Sequence, residues 1–414
     1  MSGQQDNQAE QFDGRNIAAD PLSSAPIIPV PVHQRDTEWE LPNGFAWVYY
    51  GEGSTGVERP VIMADGFNLG RSDLQWLAQG LESGVSGDPA QPYKFLSTLR
   101  KQGRTVILLG FNERAASIQE NAQAAIAAIQ RTIAEQLDDS TLTVGGFSMG
   151  GLVTRYALLK LERMRMDHRV TLYFSYDTPH RGAVIPIGLQ AFAHFIPTAN
   201  DFARQMNSDA ARQLLWRHYD SHTETVGVDP LRTAFLKELE DMGGWPVRPH
   251  KIAVANGTGD GTGVNVPPGD VALKSTGQIA FPGTTFFTQA AGNDVTVAEL
   301  RRLIPFKTKT VKTSGLPELD GAPGGTLDSY RIVADELTAK GGKAELNRPT
   351  VCFVPTVSAV AIRDIDRQED LYAKVDAIEP DESELDEFRC SSSTTGHTII
   401  TEELCSWIIE RLPS

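Results

Sequence analysis

Positive charge is in deficit: 38 lysines and arginines face 53 aspartates and glutamates, a formal net charge of −15 in 414 residues. So acidic a chain argues against nucleic acid or an anionic membrane as its partner, while saying nothing about fold. Cysteine is scarce as well. Cys352, Cys390 and Cys405 have no metal-ligand spacing. Free buried thiols are expected, with a Cys390–Cys405 bridge as the alternative. Long apolar runs are missing too. The most apolar window, residues 184–196, is too short to span a bilayer and contains Pro186 and His194. Residues 1–15 are polar and lack the apolar stretch of a secretory signal. The expected location is therefore cytoplasmic, or extracellular if the sequence is a mature form.

Hydrophobic residues make up 40% of the chain, enough for a sizeable core. Residues 1–43 are polar and then proline-rich, expected to be disordered at first and extended along the surface afterwards. Residues 44–414 are expected to form one domain. Residues 45–50 read as an antiparallel opening strand. Short β-branched runs follow at 60–64, 105–109, 141–145, 170–175, 251–255 and 350–354, the last clear one. Helical patterns alternate with them over 72–81, 115–136 and, at the end, 401–411. That alternation predicts an α/β fold with a buried, mostly parallel sheet flanked by helices. Two insertions interrupt it: residues 184–248, with helical periodicity, and residues 257–348, rich in Gly and Pro and expected to be loops.

The most telling segment is Gly146-Phe147-Ser148-Met149-Gly150, which ends an apolar strand and opens a helix. This G-x-S-x-G pattern in strand–turn–helix context is the signature of a nucleophile elbow. A serine hydroxyl is a poor nucleophile until a base takes its proton, and the base needs an orienting acid. In this arrangement the chain order is serine, acid, histidine. Only His250 and His397 of the eight histidines lie beyond residue 222. His250 opens a strand, on the wrong edge of the sheet. His397 lies in a small-residue loop before the last helix, so it is the expected general base. For the acid, Asp260 in a glycine turn after the strand 251–255 is the first choice, with Asp177 and Asp386 as rivals. Two backbone N–H groups should hold the developing oxyanion. They are expected from Met149, next after the serine, and from Phe67 in Asp65-Gly66-Phe67.

The segments Gly146-Phe147-Ser148-Met149-Gly150-Gly151-Leu152 and Asp177-Thr178-Pro179-His180-Arg181-Gly182 resemble the lipase/esterase branch of the α/β-hydrolase superfamily. Ile118-Gln119-Glu120-Asn121-Ala122 and Phe353-Val354-Pro355-Thr356-Val357-Ser358-Ala359 are similar to a bacterial group of lipase-like hydrolases. Asp65 stands where many lipases have histidine. The resemblance implies an α/β-hydrolase fold and attack of Ser148 on an ester or thioester. It further implies an acyl-enzyme, water activated by His397, and no metal or organic cofactor. By the same analogy His180 is structural, and insertion 184–248 is a helical lid over an acyl pocket for a small-molecule or lipid ester, without stable membrane insertion. Acyl transfer or cyclisation by the same triad is the neighbouring alternative. A non-catalytic binding module of the same fold is the distant one.

Overall fold

The continuous apolar runs become the strands of one twisted sheet. The computed structural model describes residues 30–88, 90–279, 281–339 and 341–414; the segment 1–29, expected to be disordered or extended, lies outside these. The sheet strands, in chain order, are β1 (Thr37–Leu41), β2 (Gly44–Tyr49), β3 (Val61–Ala64), β4 (Val106–Phe111), β5 (Leu142–Phe147) and β6 (Val170–Tyr176), then β7 (His250–Ala255) and β8 (Glu387–Cys390). Their spatial order is β1-β2-β4-β3-β5-β6-β7-β8. β2 pairs antiparallel with both β1 and β4, and every pairing from β4–β3 to β7–β8 is parallel. This is the α/β-hydrolase fold. β3, β4 and β5 are buried along their whole length, as a sheet covered on both faces requires.

Helices supply both covers. On one face lie α1 (Leu74–Glu82), α2 (Phe95–Lys101) and the C-terminal helix Glu402–Ile409, whose Leu74, Phe95 and Leu404 share a core with Val61 and Phe174. On the other lie α3 (Ile118–Glu135) and α4 (Met149–Arg163), packed with Ile62, Val144 and Tyr173. Asp73 and Ser117 accept backbone N–H bonds at the starts of α1 and α3, which fixes where each helix begins.

Several expectations change here. β1 falls within residues 37–41, inside the segment expected to lie along the surface, and Trp39 buries there to 1% exposure. The run at 350–354 is a strand, but Val351–Pro355 pairs with Gly324–Leu327 in a separate ribbon. The last sheet strand is instead β8, which carries only Phe388 and Cys390 as apolar residues after an acidic stretch. Insertion 257–348 is not loop-rich. It carries a five-stranded antiparallel sheet, ordered Phe306–Thr313, Val295–Leu303, Thr285–Phe287, Val271–Ser275 and Ala344–Leu346. Against it packs the buried helix α5 (Ile187–Phe195) of the other insertion, with Phe192 edge-on to Phe281 and Phe286 at 4.9 and 5.4 Å. Among the described residues no helix is long and apolar enough to cross a membrane.

Candidate active site

Parallel strands deliver their C-terminal ends to one edge of a sheet, where ligands of open α/β sheets bind. Ser148 follows β5 there, Asp65-Gly66-Phe67 follows β3, Asp177 follows β6, Asn256 follows β7, and His397 lies in the loop after β8.

The elbow is tight. Ser148 has φ 52° and ψ −123°, a conformation that costs a non-glycine residue of order 1–3 kcal/mol. The neighbours over-determine it. Ser148 N–H donates to Tyr176 O at 3.0 Å, and Gly151 N–H donates to Ser148 O at 3.2 Å. A Cβ on Gly146 would lie 2.3 Å from Gly150 C, and one on Gly150 would lie 2.4 Å from Ala64 O. Both glycines are therefore required for helix and strands to approach. Helix α4 begins immediately, so the Met149 N–H precedes the first intrahelical bond and stays available to a ligand. The loop after β3 touches the elbow: a Cβ on Gly66 would stand 3.4 Å from Ser148 Cβ. Phe67 follows directly. Asp65, in the place of the lipase histidine, accepts the Gly66 N–H at 2.8 Å. Burial pushes the Asp65 carboxyl pKa up, with Arg114 opposing.

At the same sheet edge, His397 Nδ1 donates to Asp177 Oδ2 at 2.6 Å. Asp177 is fully buried and His397 is 3% exposed. The second carboxylate oxygen, Asp177 Oδ1, accepts the Asn256 N–H at 3.0 Å. His397 is held by its own N–H on Thr326 O at 2.8 Å and by the edge of the Phe353 ring, centroids 4.7 Å apart. With Nδ1 committed, Nε2 is the acceptor nitrogen; it is buried and has no hydrogen-bond partner among the described residues. The Asn256 side chain straps the histidine loop, donating to Thr395 Oγ1 at 2.7 Å and Ile399 O at 2.9 Å.

The acid expected at Asp260 is not the one the fold brings to His397. Asp260 is exposed, and its Oδ1 accepts from Thr258 Oγ1 at 3.0 Å and Thr262 N–H at 2.8 Å, closing a local turn. Those bonds, the Thr262 N–H first, hold its pKa below the ordinary carboxylate value. The physical reason is distance along the chain. Asp177 directly follows its strand end, whereas Asp260 lies five residues past β7, beyond Asn256. Asp386 sits at the opposite end of the sheet, where it accepts from Lys251 N–H and Lys251 Nζ at 2.6 and 2.9 Å.

His180 lies in a buried polar cluster. Arg155 Nη1 approaches its Nδ1 at 3.4 Å, and Nε2 bonds Ser175 Oγ at 3.0 Å. The ring packs on Trp245, over which the Arg155 guanidinium also stacks at 3.5 Å. Burial first, then Arg155 and Arg181, push the His180 pKa well below that of a free histidine.

Three contributors escape a reading of the sequence. Asn256-Gly257 reads as a turn, Phe353 reads as core, and Gly325 lies in a segment with no interpretable period. Yet a Cβ on Gly325 would fall 2.0 Å from Asp177 Oδ2. Insertion 257–348 thus reaches the Asp177–His397 pair through its strand Gly324–Leu327. The three cysteines are free and buried. Among the described residues no group of three or more His, Cys, Asp or Glu side chains could hold a metal ion.

No family model and no curated protein sequence matches the chain. Solved structures with a similar arrangement include the mature form of the Bacillus licheniformis lipase BlEst2. It is 13% identical, with 51% of this chain and 72% of that one covered at a TM-score of 0.33. A hyperthermophilic esterase from Pyrobaculum calidifontis is 13% identical over 54% of this chain and 66% of its own, at 0.34. XC6422 from Xanthomonas campestris, described as an a/b serine hydrolase without lid, is 18% identical over 38% and 65%, at 0.25. At such identities and scores the chemistry of the site stands on this chain's own geometry.

Proposed function

We propose that this chain is a serine hydrolase of carboxylic esters or thioesters, working through an acyl-enzyme on Ser148. The observation that carries the proposal is the buried 2.6 Å bond from His397 Nδ1 to Asp177 Oδ2, which leaves Nε2 as a free acceptor. Ser148 Oγ attacks the substrate carbonyl while His397 Nε2 takes its proton, and Asp177 stabilises the imidazolium so formed. The oxyanion accepts from the N–H groups of Phe67 and Met149, each donor worth about 10²–10³ in rate. Collapse of the tetrahedral intermediate expels the alcohol or thiol, which takes the proton from His397. Water then enters, gives its proton to Nε2 and attacks the acyl carbon. Collapse releases the carboxylic acid, and Ser148 recovers its proton.

Insertion 184–248 is the cap in this scheme. Its Gln205 Nε2 comes within 3.5 Å of Asn68 Oδ1, in the loop that carries Phe67. The apolar helix α5 behind it favours acyl chains longer than acetate.

The direct test is covalent labelling by a fluorophosphonate, read by intact mass. Wild-type protein should gain one adduct on Ser148, and Ser148→Ala none. An unlabelled wild-type protein would sink the enzyme assignment and leave a binding module.

A further inference from the structure

The five-stranded sheet ends in a hairpin whose tip is both apolar and ringed by cations. Strands Val295–Leu303 and Phe306–Thr313 pair with Leu303 opposite Phe306 and Arg302 opposite Lys307. Leu303, Ile304 and Phe306 are 44%, 74% and 68% exposed, three large apolar side chains together at a turn, where polar residues are the rule. Residues 295–313 hold five cations, Arg301, Arg302, Lys307, Lys309 and Lys312, and one carboxylate, Glu299. Arg302 and Lys309 are tied down: Arg302 Nε donates to Pro305 O at 3.1 Å, and Lys309 Nζ meets Glu224 Oε1 at 2.6 Å. Arg301, Lys307 and Lys312 are exposed and make no direct ion pair with a carboxylate among the described residues, Lys307 acting on Glu224 only at longer range. A cationic patch in a chain of net charge −15 departs from the charge of the whole.

We propose that this hairpin docks the protein on an anionic lipid surface, with Leu303, Ile304 and Phe306 entering the acyl boundary and Arg301, Lys307 and Lys312 at headgroup depth. Charge complementarity and shape both favour that occupant. Basic side chains beside an apolar wedge suit an anionic interface. A convex tip of three side chains offers far less than the roughly 800 Å² per partner of a stable protein interface. The acidic remainder is no obstacle at close range, because exposed charges more than about 10 Å from the surface are screened at 0.1 M salt. Docking here is independent of the chemistry at Ser148.

Flotation of the full chain with vesicles of equimolar phosphatidylcholine and phosphatidylglycerol at about 0.1 M salt, where the acidic remainder is screened, tests this. Wild-type protein should float with them and bind phosphatidylcholine vesicles about tenfold more weakly. The double variants Ile304→Ser with Phe306→Ser, and Arg301→Gln with Lys307→Gln, should each lose about tenfold in binding, with melting temperatures unchanged because the altered side chains are exposed. A Leu303→Trp variant should show a blue-shifted emission on the anionic vesicles. Wild-type protein that stays in the aqueous fraction overturns the proposal. So do variants that float as well as wild type, or a wild-type dimer that becomes monomeric in Phe306→Ser, which would assign the tip to a second copy.

Discussion

Gly325 abuts Asp177 so closely that a Cβ added to the glycine would lie 2.0 Å from Asp177 Oδ2, the oxygen that holds His397 Nδ1 at 2.6 Å. The carboxylate is thus wedged between the histidine and the backbone of the neighbouring ribbon. Gly325→Ala must push the carboxylate or the ribbon aside. Displacing a catalytic group by about 1 Å costs on the order of 10² in rate. The expected outcome is a fall of that size in kcat on a p-nitrophenyl ester with KM little changed. Activity equal to wild type would mean that the ribbon gives way instead, and that Asp177 is not positioned by it.

Asp177 and Asp260 make opposite predictions under the same substitution. Asp177→Asn should lower kcat by about 10⁴, because an amide cannot hold His397 in the tautomer that leaves Nε2 basic. Asp260→Asn and Asp386→Asn should stay within twofold of wild type, since their carboxylates serve a surface turn and a Lys251 contact. Steady-state assays on one ester decide among the three. An inactive Asp260→Asn with an active Asp177→Asn would reverse the assignment made from geometry.

How much of this was legible in the sequence depended on the chemistry of each segment. β3, β4, β5 and β7 are apolar runs bounded by polar residues, and their burial demands that composition. The five-stranded sheet hides because Phe306–Thr313 alternates lysines and threonines toward solvent, and its partner strands are three to nine residues long. β8 hides behind the acidic residues that precede it. The elbow announces itself because a sharp turn requires glycines at fixed offsets. No comparable local demand marks the partner of His397. Any aspartate at a strand end satisfies the pattern, and only the register of β6 against β7, which brings Asp177 beside Asn256, separates Asp177 from Asp260.

Buried histidines make the fold sensitive to acid. The pKa values of His180, His194 and His218 all lie below that of a free histidine, burial being the first cause in each. The unfolded chain therefore takes up protons near pH 6.5 that the native protein refuses, so stability falls as pH drops through and below that value. Melting temperature should be flat above about pH 7 and decline below about 6.5. In His180→Gln the acid-side slope should shrink, because one of the refusing groups is gone. An unchanged slope would show that His180 is protonated in the native cluster, against the Arg155 and Arg181 charges beside it.

Asn256 joins the two halves of the Asp177–His397 unit by different atoms, and that permits a sharper test than removal of either. Its backbone N–H serves Asp177 Oδ1, while its side-chain amide serves Thr395 and Ile399 in the histidine loop. Asn256→Ala keeps the first bond and deletes the second set; Ile399 O retains the Tyr176 hydroxyl as a donor, so each lost bond costs about 0.5–1.5 kcal/mol in stability. The histidine loop should loosen while Asp177 stays in place. The expected result is a fall of about tenfold in the rate of Ser148 labelling by a fluorophosphonate, with a parallel fall in kcat/KM. Asn256→Asp should be worse than alanine, since a carboxylate there meets the Ile399 carbonyl with no proton to offer. If alanine and aspartate variants both label at the wild-type rate, the strap holds the loop for folding alone and His397 is positioned by Thr326 and Phe353.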